Sequence, residues 1–261
     1  MRHRITPALW VPAGVALALL LLPLLALIVR APWAQLPALL SEPTVLQALG
    51  LSLVTALIAT GVSLVLGIPL ALVLARSAQW PAVPRRLLRA LITVPLVLPP
   101  VVGGVALLLL LGRRGLIGQF LPFGIPFTSS AVVIAQVFVS MPFLVIAVEG
   151  ALRATNHQYE VAAATLGASR WTVLRRITLP LVAPGIASGA LLCFTRSLGE
   201  FGATITFAGS FPGTTQTLPI STYLLLQTDP NAAIALSLVL MVVSVAVLVS
   251  MRDRWVPGVV S

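Results

Sequence analysis

The chain has 261 residues, of which 59% are hydrophobic and only 8% charged, and its formal net charge is +10. Soluble domains carry about 25% charged residues, so this chain could not cover a water-facing surface of its size. The composition excludes an ordinary soluble enzyme, a disordered chain and a secreted disulfide scaffold, and it predicts several membrane spans of about 20 apolar residues each.

Six apolar stretches predict an all-α polytopic membrane protein with six transmembrane helices, in a single domain that takes up residues 1–261. The stretches cover residues 8–29, 45–75, 90–111, 130–152, 178–208 and 232–251. The first stretch is longer than the 7–15 apolar residues typical of a signal-peptide core, so we expect it to be retained as a span.

The distribution of arginine predicts the orientation, because short cytoplasmic loops carry an excess of basic residues. With a cytoplasmic N-terminus, twelve of the 16 basic residues lie inside and three outside, and Arg196 falls within the fifth stretch. We therefore expect a multi-pass protein of the cytoplasmic membrane with both termini inside. The basic charge is then explained by membrane lipid and topology, and it implies no nucleic-acid partner.

The residue types also limit the chemistry of the chain. All 16 basic side chains are arginine, and a Walker A phosphate loop needs a lysine, so we expect no nucleotide site in this chain. His3, His157 and Cys193 are too few for a Cys/His zinc site. We expect no metal, no catalytic residue and no bound cofactor, with Cys193 acting as a small apolar residue in a span.

Prolines interrupt the third stretch at Pro95, Pro99 and Pro100, just before Gly103 and Gly104. A proline removes a backbone donor and kinks a helix. Such breaks are tolerated inside a membrane where other helices, side chains or water satisfy the freed backbone groups. Two interpretations stay open: Pro99 and Pro100 bend a helix that lines a pathway or gate, or they form a packing kink.

The loop at residues 156–177, between the fourth and fifth stretches, is too polar to span and lies on the predicted cytoplasmic side. Its Ala-rich first part should be helical, Gly167 should end that helix, and Ser169 should cap a second one. Helical spacing gives each helix an apolar face, formed by Tyr159, Ala162, Ala163 and Leu166 and then by Trp171, Leu174 and Ile177. The loop either rests on lipid as an interfacial helix or docks onto a cytoplasmic partner.

This loop resembles that of the permease subunits of bacterial ABC importers, which reads EAA, three residues, Gly, nine residues, Ile-x-Leu-Pro. The matching residues are Ala162, Ala163, Gly167, Ile177, Leu179 and Pro180. The position of the motif Glu holds Val161, and Glu160 lies one residue early. The departure concerns the salt bridge that the family's Glu makes and leaves the glycine and the helix spacing intact.

The resemblance implies the type I ABC importer permease fold and a set of partners. A second permease copy would form a homodimer, two cytoplasmic ATPase subunits would bind the two docking loops, and an extracytoplasmic oxyanion-binding protein would deliver the substrate. ATP and Mg²⁺ would be bound by the ATPase subunits. Closure of the ATPase dimer would then rock the permease halves from inward-open to outward-open.

Candidate groups for a substrate pathway lie in residues 194–223. Arg196 and Glu200 are four apart on a helix and can pair. They either place an anion-attracting charge in the pathway or satisfy each other as a structural pair. Neutral donors that suit a transient oxyanion site are supplied by Thr204, Thr215, Gln216 and Thr217; an ordinary polar outer loop is the alternative for the last three.

The run LGEFGAT, followed by AGSFPGTTQTLP, is similar to the molybdate/tungstate branch of these permeases, as are residues 94–104 and the GRRG run at 112–115. This resemblance implies translocation of molybdate, or of tungstate, with a sulfate/thiosulfate permease as the alternative. An ion-coupled secondary transporter usually has internal repeats and intramembrane acids, and a membrane enzyme needs a catalytic constellation. The sequence has no visible repeat, few acidic residues and no such constellation.

Overall fold

The computed structural model describes residues 9–156 and 158–250, and all the regular secondary structure in this part of the chain is helical. His3, His157 and the segments 1–8 and 251–261 lie outside the described residues. The helices are α1 Trp10–Val29, α2 Leu36–Leu40, α3 Pro43–Arg76, α4 Ala82–Val97, α5 Pro100–Leu111, α6 Ser129–Ala154, α7 Gln158–Thr165, α8 Arg170–Val173, α9 Leu179–Leu198, α10 Gly202–Ala208, α11 Leu218–Thr228 and α12 Pro230–Ser250.

Five helical segments of the described chain are long and apolar enough to cross a membrane. They are Trp10–Val29, Pro43–Gln79, Ser129–Ala154, Arg170–Leu198 and Pro230–Val247. A sixth span is obtained if α4 and α5, which meet at an angle of 113°, cross together as one broken helix. The prediction of an all-helical polytopic membrane protein is confirmed.

Two of the predicted stretches are not continuous helices. The stretch 90–111 is divided between α4 and α5, because Pro99 and Pro100 lack the backbone N–H of a helix interior and Pro99 is held extended at ψ 132°. The stretch 178–208 is divided between α9 and α10. Here the Glu200 carboxylate accepts the backbone N–H of Ala203 at 2.8 Å, which starts a new helix after Gly199.

The central part of the bundle is formed by α3, α6 and α9. Leu144 lies between α3 and α9 and is fully buried. A Cβ on Gly67 would lie 2.8 Å from Leu144 Cδ2, and one on Gly189 would lie 3.2 Å from Leu144 Cδ1. Small residues therefore let these helices approach closely, as is common where helices associate in membranes. Cys193 is buried in the same cluster, as expected for a small apolar residue.

A second cluster joins α5 to α6 and α10 and includes Leu107, Val139, Ala203 and Phe207. A Cβ on Gly104 would lie only 2.8 Å from the carbonyl oxygen of Ala203. The two short helices α5 and α10 thus pack backbone against backbone, and each follows a break in an apolar stretch.

The helix α1 lies at the periphery, and none of its residues is buried. Its outward apolar side chains suit contact with acyl chains rather than with water.

Candidate functional site

The predicted docking loop forms a helical hairpin, which we define as residues 158–178 and call the docking hairpin. Its first helix, α7, ends where Gly167 adopts a φ of +84°, a conformation that L side chains rarely adopt. The N–H of Ala168 donates to the Ala163 carbonyl at 3.0 Å, which completes the helix end. Ser169 Oγ accepts the N–H of Thr172 at 3.2 Å and so begins the second helix. The predicted helix stop and cap are both confirmed.

Several apolar side chains of the docking hairpin face outward. The exposed fractions are 60% for Tyr159, 61% for Val161, 88% for Leu166 and 67% for Trp171. Of the predicted apolar stripe Trp171, Leu174 and Ile177, the last two are half-buried and Trp171 is exposed. Large apolar side chains exposed on a polar loop make the docking hairpin a candidate interaction site.

Glu160 joins the two ends of the docking hairpin. Its Oε1 accepts a hydrogen bond of 2.6 Å from the hydroxyl of Thr178, which is buried at 2% exposure. A hydrogen bond to a carboxylate is shorter and stronger than one between neutral groups. Glu160, the acidic residue that lies one position early in the motif, therefore forms a hydrogen bond that holds α7 against the start of α9.

The second half of the docking hairpin continues directly into α9. Leu174–Thr178 form a π-helical turn directly before Pro180, which has no backbone N–H to donate to the preceding turn. The helix is thus unbroken from Arg170 to Leu198. Ile177, Leu179 and Pro180 lie at this junction rather than in a separate loop, so a displacement of the hairpin would act directly on α9.

The two candidate pathway segments meet at the breaks in their helices. A Cβ on Gly202 would lie 2.8 Å from Pro100 Cβ, so the Pro99–Pro100 elbow packs against the start of α10. Arg196 Nη1 lies 2.6 Å from Glu200 Oε2, with side-chain exposures of 28% and 1%. The predicted pair is formed, and Glu200 also caps α10 through its other oxygen.

The polar groups predicted for the same pathway divide into buried and accessible ones. Thr204, Thr215 and Thr217 are buried, and the Thr215 hydroxyl accepts the N–H of Phe211 at 2.9 Å within its own loop. Gln216 instead lines a cleft of about 380 Å³, together with Glu42 and Gly213. The structure places Gln216 beside open space and the three threonines inside the fold.

One charged cluster was missed in the sequence. Glu149 is 3% exposed, and its Oε1 accepts from Arg89 Nη2 and from Arg153 Nε, the latter at 2.8 Å. The spacing of Glu149 and Arg153 at four residues is a local signal that could have been noticed. The contact with Arg89 joins positions that are 60 residues apart, and no local pattern indicates it.

Comparisons with known proteins agree with this architecture. The sequence pattern of the family described as "Binding-protein-dependent transport system inner membrane component" matches residues 67–257. The "Molybdenum transport system permease protein ModB" of Mycobacterium tuberculosis is 51% identical, over 94% of this chain and 93% of that protein. The protein of the same name in Escherichia coli K12 is 44% identical, over 80% of this chain and 92% of that protein.

A more distant relative and a solved structure extend the comparison. The "Sulfate transport system permease protein CysT" of Escherichia coli K12 is 34% identical, over 96% of this chain and 93% of that protein. A crystal structure of a bacterial ABC transporter that imports the acidic polysaccharide alginate matches with a TM-score of 0.68 and 18% identity. That match covers 95% of this chain and 92% of the other, and it bears on the fold alone.

The bond between Thr178 and Glu160 makes the stability of the docking hairpin testable. Thr178→Val removes the hydroxyl at nearly constant volume and leaves the Glu160 carboxylate without this donor. Because a hydrogen bond to a charged group contributes about 1.5–3 kcal/mol, amide hydrogen exchange in α7 should accelerate by about tenfold or more. Hydrogen exchange measured by mass spectrometry in detergent tests this, and Thr178→Ser, which keeps the hydroxyl, should exchange like the wild type. Equal exchange in all three proteins would show that the bond does not hold the hairpin.

Proposed function

Because the chain belongs to the family of binding-protein-dependent transport system inner membrane components, we propose that it is the membrane-spanning subunit of an ATP-driven importer of molybdate. The observation that supports molybdate as the substrate is the identity with two relatives named as molybdenum transport permeases, 51% over 94% of this chain and 44% over 80% of it. The sulfate permease at 34% identity supports a second candidate, an importer of sulfate or thiosulfate.

We assign the work of ATP hydrolysis to a separate subunit that binds the docking hairpin. The exposed Tyr159, Leu166 and Trp171 would supply the apolar contact, in the manner of a helix that enters a groove. Because the hairpin runs without interruption into α9, the partner's movement would reach the Arg196–Glu200 pair along a rigid helix. Glu160, Ala162, Ala163 and Gly167 would set the shape of the docking surface.

The remaining partners and the orientation follow from the same proposal. Two copies of the chain would form the pathway between them, and an extracytoplasmic protein would deliver the oxyanion. The excess of arginine in the loops on one side supports placing both termini and the docking hairpin in the cytoplasm. The cleft beside Gln216 would then open on the outer face.

Transport of the oxyanion would require weak, transient binding at the breaks in the helices. Broken helices line binding sites in membrane proteins because their freed backbone groups face a cavity rather than lipid. The Pro99–Pro100 elbow and the start of α10 bring two such breaks together, next to Arg196 and Glu200. We propose that the exposed edge of the Arg196 guanidinium meets the anion, while Glu200 keeps the affinity low enough for release.

The function is tested by reconstituting the chain in liposomes with its ATPase and its binding protein. We expect ATP-dependent uptake of labelled molybdate that persists in excess sulfate. Uptake of sulfate with molybdate acting only as a competitor would favour the second candidate. Uptake that follows an ion gradient without ATP would contradict both.

The role of Arg196 is tested by comparing Arg196→Ala with Arg114→Ala, which removes the same charge from an exposed outer loop. Loss of a charge that stabilises a passing anion should lower uptake per folded transporter by about tenfold, the effect of roughly 1.4 kcal/mol. Arg114→Ala should leave uptake near the wild-type value. Unchanged uptake by Arg196→Ala, together with a lower melting temperature, would assign the pair to structure alone.

A further inference from the structure

A buried carboxylate with two cationic partners lies near the end of α6 that leads into the docking hairpin. Glu149 accepts from the guanidinium groups of Arg89 and Arg153 at the same oxygen, Oε1. The Glu149 side chain is 4% exposed, whereas those of Arg89 and Arg153 are 48% and 45% exposed. The two arginines are thus alike in exposure and in the atom they contact.

The two contacts differ in what they connect. Arg153 is one turn further along α6, so its contact with Glu149 stays within one helix. Arg89 belongs to α4, so its contact with Glu149 joins two helices. Ile92 of α4 is buried in the same apolar cluster as Val148 of α6, and Leu88 of α4 packs against that cluster. The Arg89–Glu149 contact is therefore the ionic part of the α4–α6 interface.

The helices joined by this contact lead to different parts of the fold. After Glu149, α6 ends at Ala154, and α7 of the docking hairpin begins at Gln158. After Arg89, α4 runs to Val97 and the 113° elbow, beyond which α5 packs on α10 through Gly104. The Arg89–Glu149 contact thus links the helix that leads to the docking hairpin with the helix that leads to the elbow at the candidate pathway.

We propose that Glu149 is a positioning residue that, through Arg89, transmits the movement of the docking hairpin to the elbow between α4 and α5. This inference rests on the proposed function, since it names the part that couples ATP hydrolysis to translocation. Glu149 is buried, so water cannot replace Arg89 at the carboxylate, and only the Arg153 contact would remain to compensate its charge. Through this contact, a displacement of α6 would move α4 with it, and the two helices would not slide past each other.

The experiment compares Arg89→Gln with Arg153→Gln in proteoliposomes that contain the ATPase and the binding protein. The measured quantity is the amount of molybdate taken up per ATP hydrolysed. Arg89→Gln should lower this ratio by roughly fivefold, within the range that substitutions along a coupling network produce, while the ATPase still cofractionates. Arg153→Gln removes the same positive charge beside the same carboxylate, but within one helix. It should keep the ratio within about twofold of the wild type.

Each outcome has a separate meaning. Wild-type ratios in both variants would show that coupling does not need the Arg89 contact. An equal fall in both would show that loss of either arginine charge matters, whichever helix supplies it. Either result would overturn the inference. Failure of the wild-type protein to take up molybdate with ATP would count against the proposed function instead. If Arg89→Gln does not fold, Arg89→Lys keeps the charge without the planar fork and should give an intermediate ratio; a wild-type ratio in that variant, with uptake by Arg153→Gln also unchanged, would overturn the inference.

Discussion

A carboxylate that leaves water must find a partner, and in this chain three carboxylates meet that requirement by joining parts of the fold. Glu149 joins α4 to α6, Glu160 joins α7 to the start of α9, and Glu200 joins α9 to α10. The sequence has only six acidic residues, so half of them serve as junctions. Because most of the surrounding packing is apolar and non-directional, these charged contacts are directional links between the helices they join.

These junctions form a continuous connection from the docking hairpin to the proposed pathway. The docking hairpin is held at its base by Glu160 and runs without a break into α9, whose last turn carries Arg196. The elbow at Pro99 and Pro100 packs on Gly202, so the α4–α5 unit and the α9–α10 unit meet where both helices are broken. A displacement of the hairpin would thus reach the proposed pathway through rigid helices, and the freed backbone groups at the breaks would face the space that opens.

Local chemistry explains which parts of the structure could be predicted. The left-handed Gly167, the cap at Ser169 and the Arg196–Glu200 pair each depend on residues within four positions, and all three are formed. The division of two apolar stretches and the Arg89–Glu149 contact depend on packing between distant segments. Hydropathy records that a stretch is apolar but not that Gly104 allows α5 to lie on α10, so the bend of 113° could not be derived from it.

The central claim is that the shape of the docking hairpin couples the ATPase to transport, and Gly167 tests it most directly. Valine at this φ of +84° costs roughly 1–2 kcal/mol, whereas asparagine tolerates the left-handed region. The measurement is the cofractionation of the ATPase and ATP-dependent molybdate uptake in Gly167→Val and Gly167→Asn. The account predicts that Gly167→Val loses both by about tenfold with its spans folded, and that Gly167→Asn retains them. Normal uptake by a well-expressed Gly167→Val protein would contradict it.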